Sequence, residues 1–203
     1  MRIYRIPFST NVERVALALG HKGLEAEWVD VPADDRSAVE SVSGQRLVPV
    51  LVEDGFVLPE SMEIVSYLET KHPERPLYPA EPARRAEVEI FVDWFNRVWK
   101  RPPNLIAAEL EQPAPDRARI DVWGSRISAD LDVFERLLDG RDWLYGDRFG
   151  AADVCAFPFL KYTLIQEEGD EEVFHQVLRD WQPAGGHPRL ETWIRRVDAL
   201  PRG

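Results

Sequence analysis

The chain has 203 residues, of which 44% are hydrophobic, and a formal net charge of −11 at pH 7. This is enough apolar side chain for one large domain or two small ones. Nucleic acids and anionic membranes are bound largely through Lys and Arg, so the acidic balance argues against either as a partner. No apolar run approaches the roughly 18 residues of a membrane span and no leader pattern is visible, so we expect a cytoplasmic location.

Strand and helix patterns alternate over the first 70 residues. Residues 2–6 form a predicted strand, residues 12–22 a helix that Gly23 ends, and residues 26–31 a second strand. A short helix is expected over residues 37–42.

A hairpin and a helix complete this part of the chain. Strands at residues 50–52 and 56–58 flank Asp54-Gly55, and an Asp-Gly pair between apolar runs is a strong hairpin signal. A helix is predicted over residues 60–70. The order β-α-β-α-β-β-α is typical of a thioredoxin-like domain, in which the first β-α-β unit makes a parallel strand pair.

A cluster of prolines separates this domain from the rest of the chain. Residues 73–82 contain Pro73, Pro76, Pro79 and Pro82. Prolines this close together exclude a helix and indicate a stiff linker. We therefore predict a thioredoxin-like domain of residues 1–72, a linker of residues 73–82 and an all-α domain of residues 83–203.

Every long segment after the linker has apolar residues at helical spacing. The predicted helices cover residues 83–98, 116–138, 151–165, 171–180 and 188–200. Pro102-Pro103 is expected to kink or end the first of them. The predicted fold class is thus an α/β domain followed by an all-α helical bundle.

The cysteine and histidine residues indicate neither a disulfide or dithiol redox site nor a metal site. The single cysteine, Cys155, excludes an intrachain disulfide and a Cys-x-x-Cys redox pair. The histidines have no metal-ligand spacing, so we predict no metal site. They are His21, His72, His175 and His187.

Two motifs in the first domain resemble the cytosolic glutathione transferase superfamily. One is Val48-Pro49, where the proline belongs at a strand start and the peptide bond is a candidate for the cis form. The other is Glu60-Ser61 at the start of a helix. The resemblance is to serine- or cysteine-type members, or bacterial nu-like members, with the subclass unassigned.

The second domain carries a further landmark of the same family. Residues 144–153 resemble the stretch that leads into its capped, buried helix, with Gly150 where the family has a hydroxyl residue. Glycine supplies no side-chain acceptor, so Asp153 would keep only its own half of the capping box. The resemblance covers nearly the whole chain, and it makes Asp153 a structural residue.

The resemblance implies a glutathione site in the first domain. Val48, beside Pro49, would offer its main-chain groups to the cysteinyl part, and Glu60 and Ser61 would hold the γ-glutamyl end. A helix N-terminus carries unpaired N–H groups and about half a positive charge, which suits the ligand carboxylate.

Two neighbouring residues are candidates for the glycyl carboxylate. Relatives often have a polar or basic residue just before the Val-Pro pair, where this chain has Gln45 and Arg46. We place Arg46 ahead of Gln45, and a solvated loop is the alternative.

The catalytic residue implied by the resemblance is Ser9. In serine- and cysteine-type members that residue lies five positions before an Arg-Val-like pair, here Arg14-Val15. A free thiol has a pKa near 8.5, and a hydroxyl donor at the positive end of a helix favours its thiolate. Asn11 and Thr10 are alternative donors, and simple capping of the helix is the other interpretation of all three.

The resemblance places the electrophilic substrate against the second domain. Candidate pocket residues are Trp94, Phe95, Trp99 and Tyr162, although aromatic residues at helical spacing also suit a core.

The predicted function is therefore a glutathione transferase that activates the glutathione thiol, as cosubstrate, for addition to or substitution on an apolar electrophile. A glutathione-dependent isomerase, dehalogenase or lyase is one alternative, and a non-catalytic binding or assembly module is another. The resemblance also implies a homodimer.

Overall fold

A four-stranded mixed sheet forms the centre of the first domain in the computed structural model, which describes residues 1–203. The strands are β1 (Arg2–Arg5), β2 (Glu27–Asp30), β3 (Val50–Glu53) and β4 (Phe56–Pro59). Their order is β2-β1-β3-β4, with β1 and β2 parallel and the other pairs antiparallel. Asp54 and Gly55 join β3 to β4 with φ values of 49° and 81°, the positive values that a two-residue hairpin turn needs.

Three helices accompany this sheet. They are α1 (Thr10–Lys22), α2 (Ser37–Ser43) and α3 (Ser61–Lys71). Helices α1 and α3 pack against each other, and α2 packs against β4. Helix α1 begins two residues earlier than predicted because Ser9 caps it, and it ends at Gly23, whose φ is 69°.

A buried ion pair extends this unit beyond the predicted boundary. Lys22 Nζ lies 2.7 Å from Glu69 Oε2, and Glu69 also accepts the main-chain N–H groups of Leu77 and Tyr78. Burial alone would raise the pKa of Glu69, but these hydrogen bonds outweigh it and lower the pKa. The first unit therefore runs to Tyr78, so the first half of the proline-rich segment belongs to it.

The last four residues also differ from the predicted division. Leu200–Gly203 pack with the first unit, and the second unit is Pro79–Ala199. The main-chain N–H of Gly203 donates to the Ala16 carbonyl of α1 at 3.0 Å.

The second unit is all-α, as predicted. Its helices are α4 (Pro82–Trp94), α5 (Arg101–Leu110), α6 (Arg117–Leu137), α7 (Ala151–Leu160), α8 (Val173–Trp181) and α9 (Pro188–Asp198). The predicted break at Pro102-Pro103 takes a particular form: a π-helical turn at Phe95–Trp99 follows α4, and the prolines open α5. Proline fits the first turn of a helix because its missing N–H would have no partner there.

The predicted fold class, an α/β thioredoxin-like domain followed by an all-α domain, is confirmed. None of the helices combines the length and apolar character that crossing a membrane would take.

Candidate functional site

Ser9, Thr10 and Asn11 form a polar loop at the N-terminus of α1. Ser9 Oγ accepts a hydrogen bond from the Val12 main-chain N–H at 3.4 Å. A hydroxyl that accepts one bond keeps its own proton for another partner, so capping and donation to a ligand are compatible. Thr10 is only 5% exposed, whereas Ser9 and Asn11 are half-buried. The structure brings all three together and leaves Ser9 and Asn11 the more accessible.

Phe8, which the sequence analysis did not single out, has a strained backbone next to this loop. Its φ is 63°, a left-handed conformation that costs an L side chain roughly 1–2 kcal/mol. Its ring is exposed and directly precedes Ser9. Such strain concentrates at functional sites. The sequence carries no signal for it, since a positive φ is normally indicated by Gly, Asn or Asp.

The peptide bond between Val48 and Pro49 is cis, the form for which the sequence made it a candidate. Pro49 is buried, and Val48 is half-buried and lies just before β3. No hydrogen bond within the chain uses the main-chain N–H or C=O of Val48. Both groups are therefore available to an extended peptide ligand, which binds through main-chain hydrogen bonds.

Glu60 and Ser61 lie at the start of α3 in different environments. Glu60 is exposed, makes no ion pair or hydrogen bond with its carboxylate, and has a φ of 72° and a ψ of 115°. Few non-glycine residues adopt that conformation, which costs about 1–3 kcal/mol. Ser61 is 4% exposed and is the first residue of the helix. The pair thus presents a carboxylate outside the helix and a hydroxyl at its N-terminus.

Arg14 connects the two ends of this candidate site. Its side chain is 1% exposed, and Nη1 lies 3.2 Å from both Asn11 Oδ1 and Ser61 Oγ. In the sequence Arg14 served only as a landmark for locating Ser9. The contact with Asn11 has helical spacing and could have been anticipated, but the contact with Ser61 spans 47 positions and could not.

The two candidates for the glycyl carboxylate have different partners. Gln45 folds onto the main chain of Leu47, accepting its N–H at 2.5 Å and donating to its carbonyl at 2.8 Å. Arg46 forms an exposed ion pair with Glu40 at 3.0 Å. Such pairs contribute about 0–1 kcal/mol, so Arg46 can leave its partner more easily than Gln45 can.

The four predicted pocket aromatics all lie in the second unit, and three of them are in its core. Phe95 and Trp99 stack at 4.5 Å between ring centroids and are 0% and 1% exposed. Tyr162 is also buried and stacks on His175 at 4.8 Å. Only Trp94 offers surface, as part of the lining of an open groove of about 430 Å³ on α4.

Asp153 is completely buried, and its contacts are structural. Oδ1 accepts the Leu144 main-chain N–H at 3.0 Å and Trp193 Nε1–H at 2.7 Å, and Oδ2 accepts the Gly150 N–H at 2.9 Å. Gly150 returns no side-chain bond, so only one half of a capping box forms. Burial raises the pKa of Asp153 to about 6, although the hydrogen bonds oppose it.

No group of three His, Cys, Asp or Glu side chains is arranged to hold a metal ion. The single cysteine, Cys155, is buried in α7.

Comparison with known proteins identifies similar chains along the whole length. Models of the glutathione S-transferase N-terminal domain and C-terminal domain match residues 3–76 and 93–196. The chain is 29% identical to glutathione S-transferase GstB of Escherichia coli strain K12, over 95% of this chain and 90% of that protein. It is 31% identical to glutathione S-transferase 3 of Zea mays, over 99% and 96%.

A solved structure agrees with these sequence matches. The crystal structure of a glutathione S-transferase from Rhodospirillum rubrum F11 is 29% identical in sequence and superposes with a TM-score of 0.75. The match covers 98% of this chain and 88% of that one.

Proposed function

This chain belongs to the glutathione S-transferase family and is a glutathione transferase, and we propose that it binds glutathione across the N-termini of α1 and α3. The observation that carries the proposal is the contact of one buried guanidinium, Arg14, with both Asn11 and Ser61. Two helix N-termini and a cation held close together favour an anionic ligand. Glutathione supplies an anion for each end, its thiolate and its γ-glutamyl carboxylate.

We assign the sulfur to the α1 end, with Ser9 as its hydrogen-bond donor. Ser9 Oγ accepts from Val12, so its proton is free to point at the ligand. The thiol proton leaves to solvent, and the sulfur lone pair then attacks the electrophile. In a substitution the leaving group departs with the electrons of the broken bond. In an addition the electrophile takes up a proton after the C–S bond forms.

Ser9→Ala is expected to raise the thiol pKa of bound glutathione by about one to two units. A hydrogen bond to a charged group contributes roughly 1.5–3 kcal/mol, and one pKa unit is about 1.4 kcal/mol. Ultraviolet absorbance of the thiolate, followed against pH in the glutathione complex, measures this directly. Ser41→Ala, an exposed serine on α2, serves as the control. An unchanged pKa in Ser9→Ala with a rise in Asn11→Ala would transfer the role to Asn11, and no rise in either would reject the assignment.

The remaining parts of glutathione are assigned to the other candidate residues of the first unit. We propose that the main-chain groups of Val48 bind the cysteinyl part beside Pro49. Ser61 and the α3 N-terminus would take the γ-glutamyl carboxylate, and the unpaired Glu60 carboxylate its ammonium. Of the two glycyl candidates, Arg46 is favoured because its pair with Glu40 is exposed.

Glu60→Gly is expected to stabilise the protein while weakening glutathione binding. The present conformation of Glu60 costs about 1–3 kcal/mol, which glycine would relieve. Glycine also loses more conformational freedom on folding, which costs roughly 0.5–1 kcal/mol. We therefore expect the free energy of unfolding to rise by about 1 kcal/mol in chemical unfolding. Calorimetry should show weaker binding of glutathione but unchanged binding of cysteinylglycine, which lacks the γ-glutamyl ammonium. Glu63→Gly, at an exposed helical position, should instead lose about 1 kcal/mol. An equal loss of affinity for glutathione and for cysteinylglycine in Glu60→Gly would contradict the assignment of Glu60.

For the electrophile we propose an apolar small molecule. Phe8 presents an exposed ring one residue before Ser9, which suits such a substrate. Of the four second-unit aromatics, Trp94 remains the best candidate because it alone offers surface. Product analysis separates transfer from isomerisation, dehalogenation or ether cleavage. Tight glutathione binding with an unshifted thiol pKa would instead indicate a binding module.

A homodimer and a cytoplasmic location complete the proposal. The homodimer comes from the family resemblance, and the exposed apolar side chains of Ile90 and Val98, which line the α4 groove, are compatible with it. The cytoplasmic location is the expectation of the sequence analysis. Sedimentation equilibrium tests the oligomeric state.

A further inference from the structure

The segment Leu200–Gly203, here called the tail, lies along one face of α1. The Gly203 main-chain N–H donates to the Ala16 carbonyl at 3.0 Å, and Trp28 Nε1 donates to the Gly203 carbonyl at 3.0 Å. Arg202 Nη2 lies 2.9 Å from Glu13 Oε1. The tail is therefore held at Gly203 by one main-chain hydrogen bond and one from the Trp28 side chain, and at Arg202 by an ion pair in the first turn of α1.

The contact between the tail and α1 is closely fitted. A Cβ added at Gly20 would lie 2.1 Å from the Pro201 carbonyl oxygen, and one added at Gly203 would lie 2.6 Å from the Leu19 Cβ of α1. Glu13, Ala16 and Gly20 recur at helical spacing and share one face of α1. Only a helix without a side chain at position 20 admits the tail at this distance.

The ion pair matters because of where Glu13 lies. Its main-chain N–H donates to the Ser9 carbonyl at 3.0 Å, so it belongs to the turn that carries the sulfur donors. A carboxylate in this turn interacts with the same partial positive charge that would stabilise a thiolate, and it repels the thiolate as well. The side chains of Arg202 and Glu13 are only 27% and 16% exposed, so solvent and salt screen the pair less than an open surface pair.

We propose that Arg202 is a positioning residue for the thiol site: by pairing with Glu13, it leaves the positive end of α1 to the sulfur of glutathione. This inference rests on the proposed function, because it needs a thiolate at that helix end. The tail thereby has an electrostatic role at the N-terminus of α1.

Two single variants, each of which neutralises one charge of the pair, distinguish this role from a structural one, because they should shift the thiol pKa in opposite directions. Arg202→Gln removes the positive charge that pairs with Glu13 and should raise the thiol pKa of bound glutathione. Glu13→Gln removes the negative charge that pairs with Arg202 and should lower the same thiol pKa. Each shift should be between about half a unit and one unit, the order that Coulomb's law gives for a partly screened charge near a protein surface. The double variant should return to within a few tenths of a unit of the parent.

The measurement is thiolate absorbance against pH for the full chain with glutathione, at low and high salt. Opposite shifts that cancel in the double variant and shrink in high salt support the proposal. Shifts of the same sign would mean that the pair only clamps the helix and would overturn it, as would no shift in either variant. Arg2→Gln, which breaks the exposed pair with Glu27, is the control and should leave the thiol pKa unchanged.

The same titration separates this inference from the function on which it rests. If the parent chain does not bind glutathione, or binds it with an ordinary thiol pKa, the proposed function fails. If the parent lowers the thiol pKa and the Arg202 and Glu13 variants do not alter it, only the role of Arg202 fails.

Discussion

Replacing Glu69 with alanine is expected to lower the free energy of unfolding by about 3–5 kcal/mol, the range for breaking a buried ion pair by removing one partner. The Lys22 side chain is 1% exposed and would keep only the carbonyls of His72 and Arg75 as partners. The main-chain N–H groups of Leu77 and Tyr78 would lose their acceptor as well.

Urea unfolding followed by tryptophan fluorescence measures the loss. The matched control is Glu89→Ala, which breaks the exposed pair with Arg85 on α4 and should cost no more than about 0.5 kcal/mol. The pKa of Glu69 lies below its ordinary value of 4.5, so its contribution is present above that value and is lost as the pH falls through the lowered pKa. A loss below about 1 kcal/mol at neutral pH would show that the pair does not anchor residues 73–78.

Asp153→Ala is expected to be comparably destabilising to the second unit, by about 3–5 kcal/mol. The change leaves three donors without an acceptor: the N–H of Leu144 and the indole N–H of Trp193, which are buried, and the N–H of Gly150, which is half-buried. Each unsatisfied donor costs about 1–3 kcal/mol. Chemical unfolding measures this loss. Asp130→Ala, whose carboxylate pairs with a partly exposed Arg126, is a milder control, and similar losses in both variants would contradict a special role for Asp153.

Asp153→Asn tests the pH dependence of the same group. The pKa of Asp153 rises from 3.8 to about 6 on folding, so between these values the folded state binds more protons than the unfolded state. The parent should therefore lose stability relative to the Asn variant as the pH rises from about 4 to about 6, by on the order of 2–3 kcal/mol. Above pH 6 the difference should be constant. If the parent instead gained stability relative to the Asn variant as the pH rose, the hydrogen bonds, and not burial, would dominate the Asp153 pKa.

Some features of the site were accessible from local sequence alone. The Val48-Pro49 pair, the Asp54-Gly55 turn and the helix that begins at Ser61 each depend on the backbone preferences of a few adjacent residues. These preferences act over short distances, so a short stretch of sequence suffices to recognise them. The same holds for the capping position of Ser9.

The aromatic residues show the opposite case. Trp94, Phe95 and Trp99 have the spacing of one helical face, and this spacing suits a core and a pocket equally well. The π-helical turn at Phe95–Trp99 buries Phe95 and Trp99 against α6 and α7 and leaves surface only on Trp94. Whether an aromatic ring faces solvent depends on which other elements pack over it, and no local pattern specifies that.

By itself, the sequence determined the two-domain fold, the order of its strands and helices except for α5, and the local motifs of the candidate glutathione site. Only the tertiary structure decided which distant side chains meet at that site. Arg14 contacts Ser61 across 47 positions, and Arg202 reaches Glu13 across 189. The physical reason is that backbone preferences and apolar periodicity are local properties of a chain, whereas a contact between distant side chains depends on where their segments come together after folding.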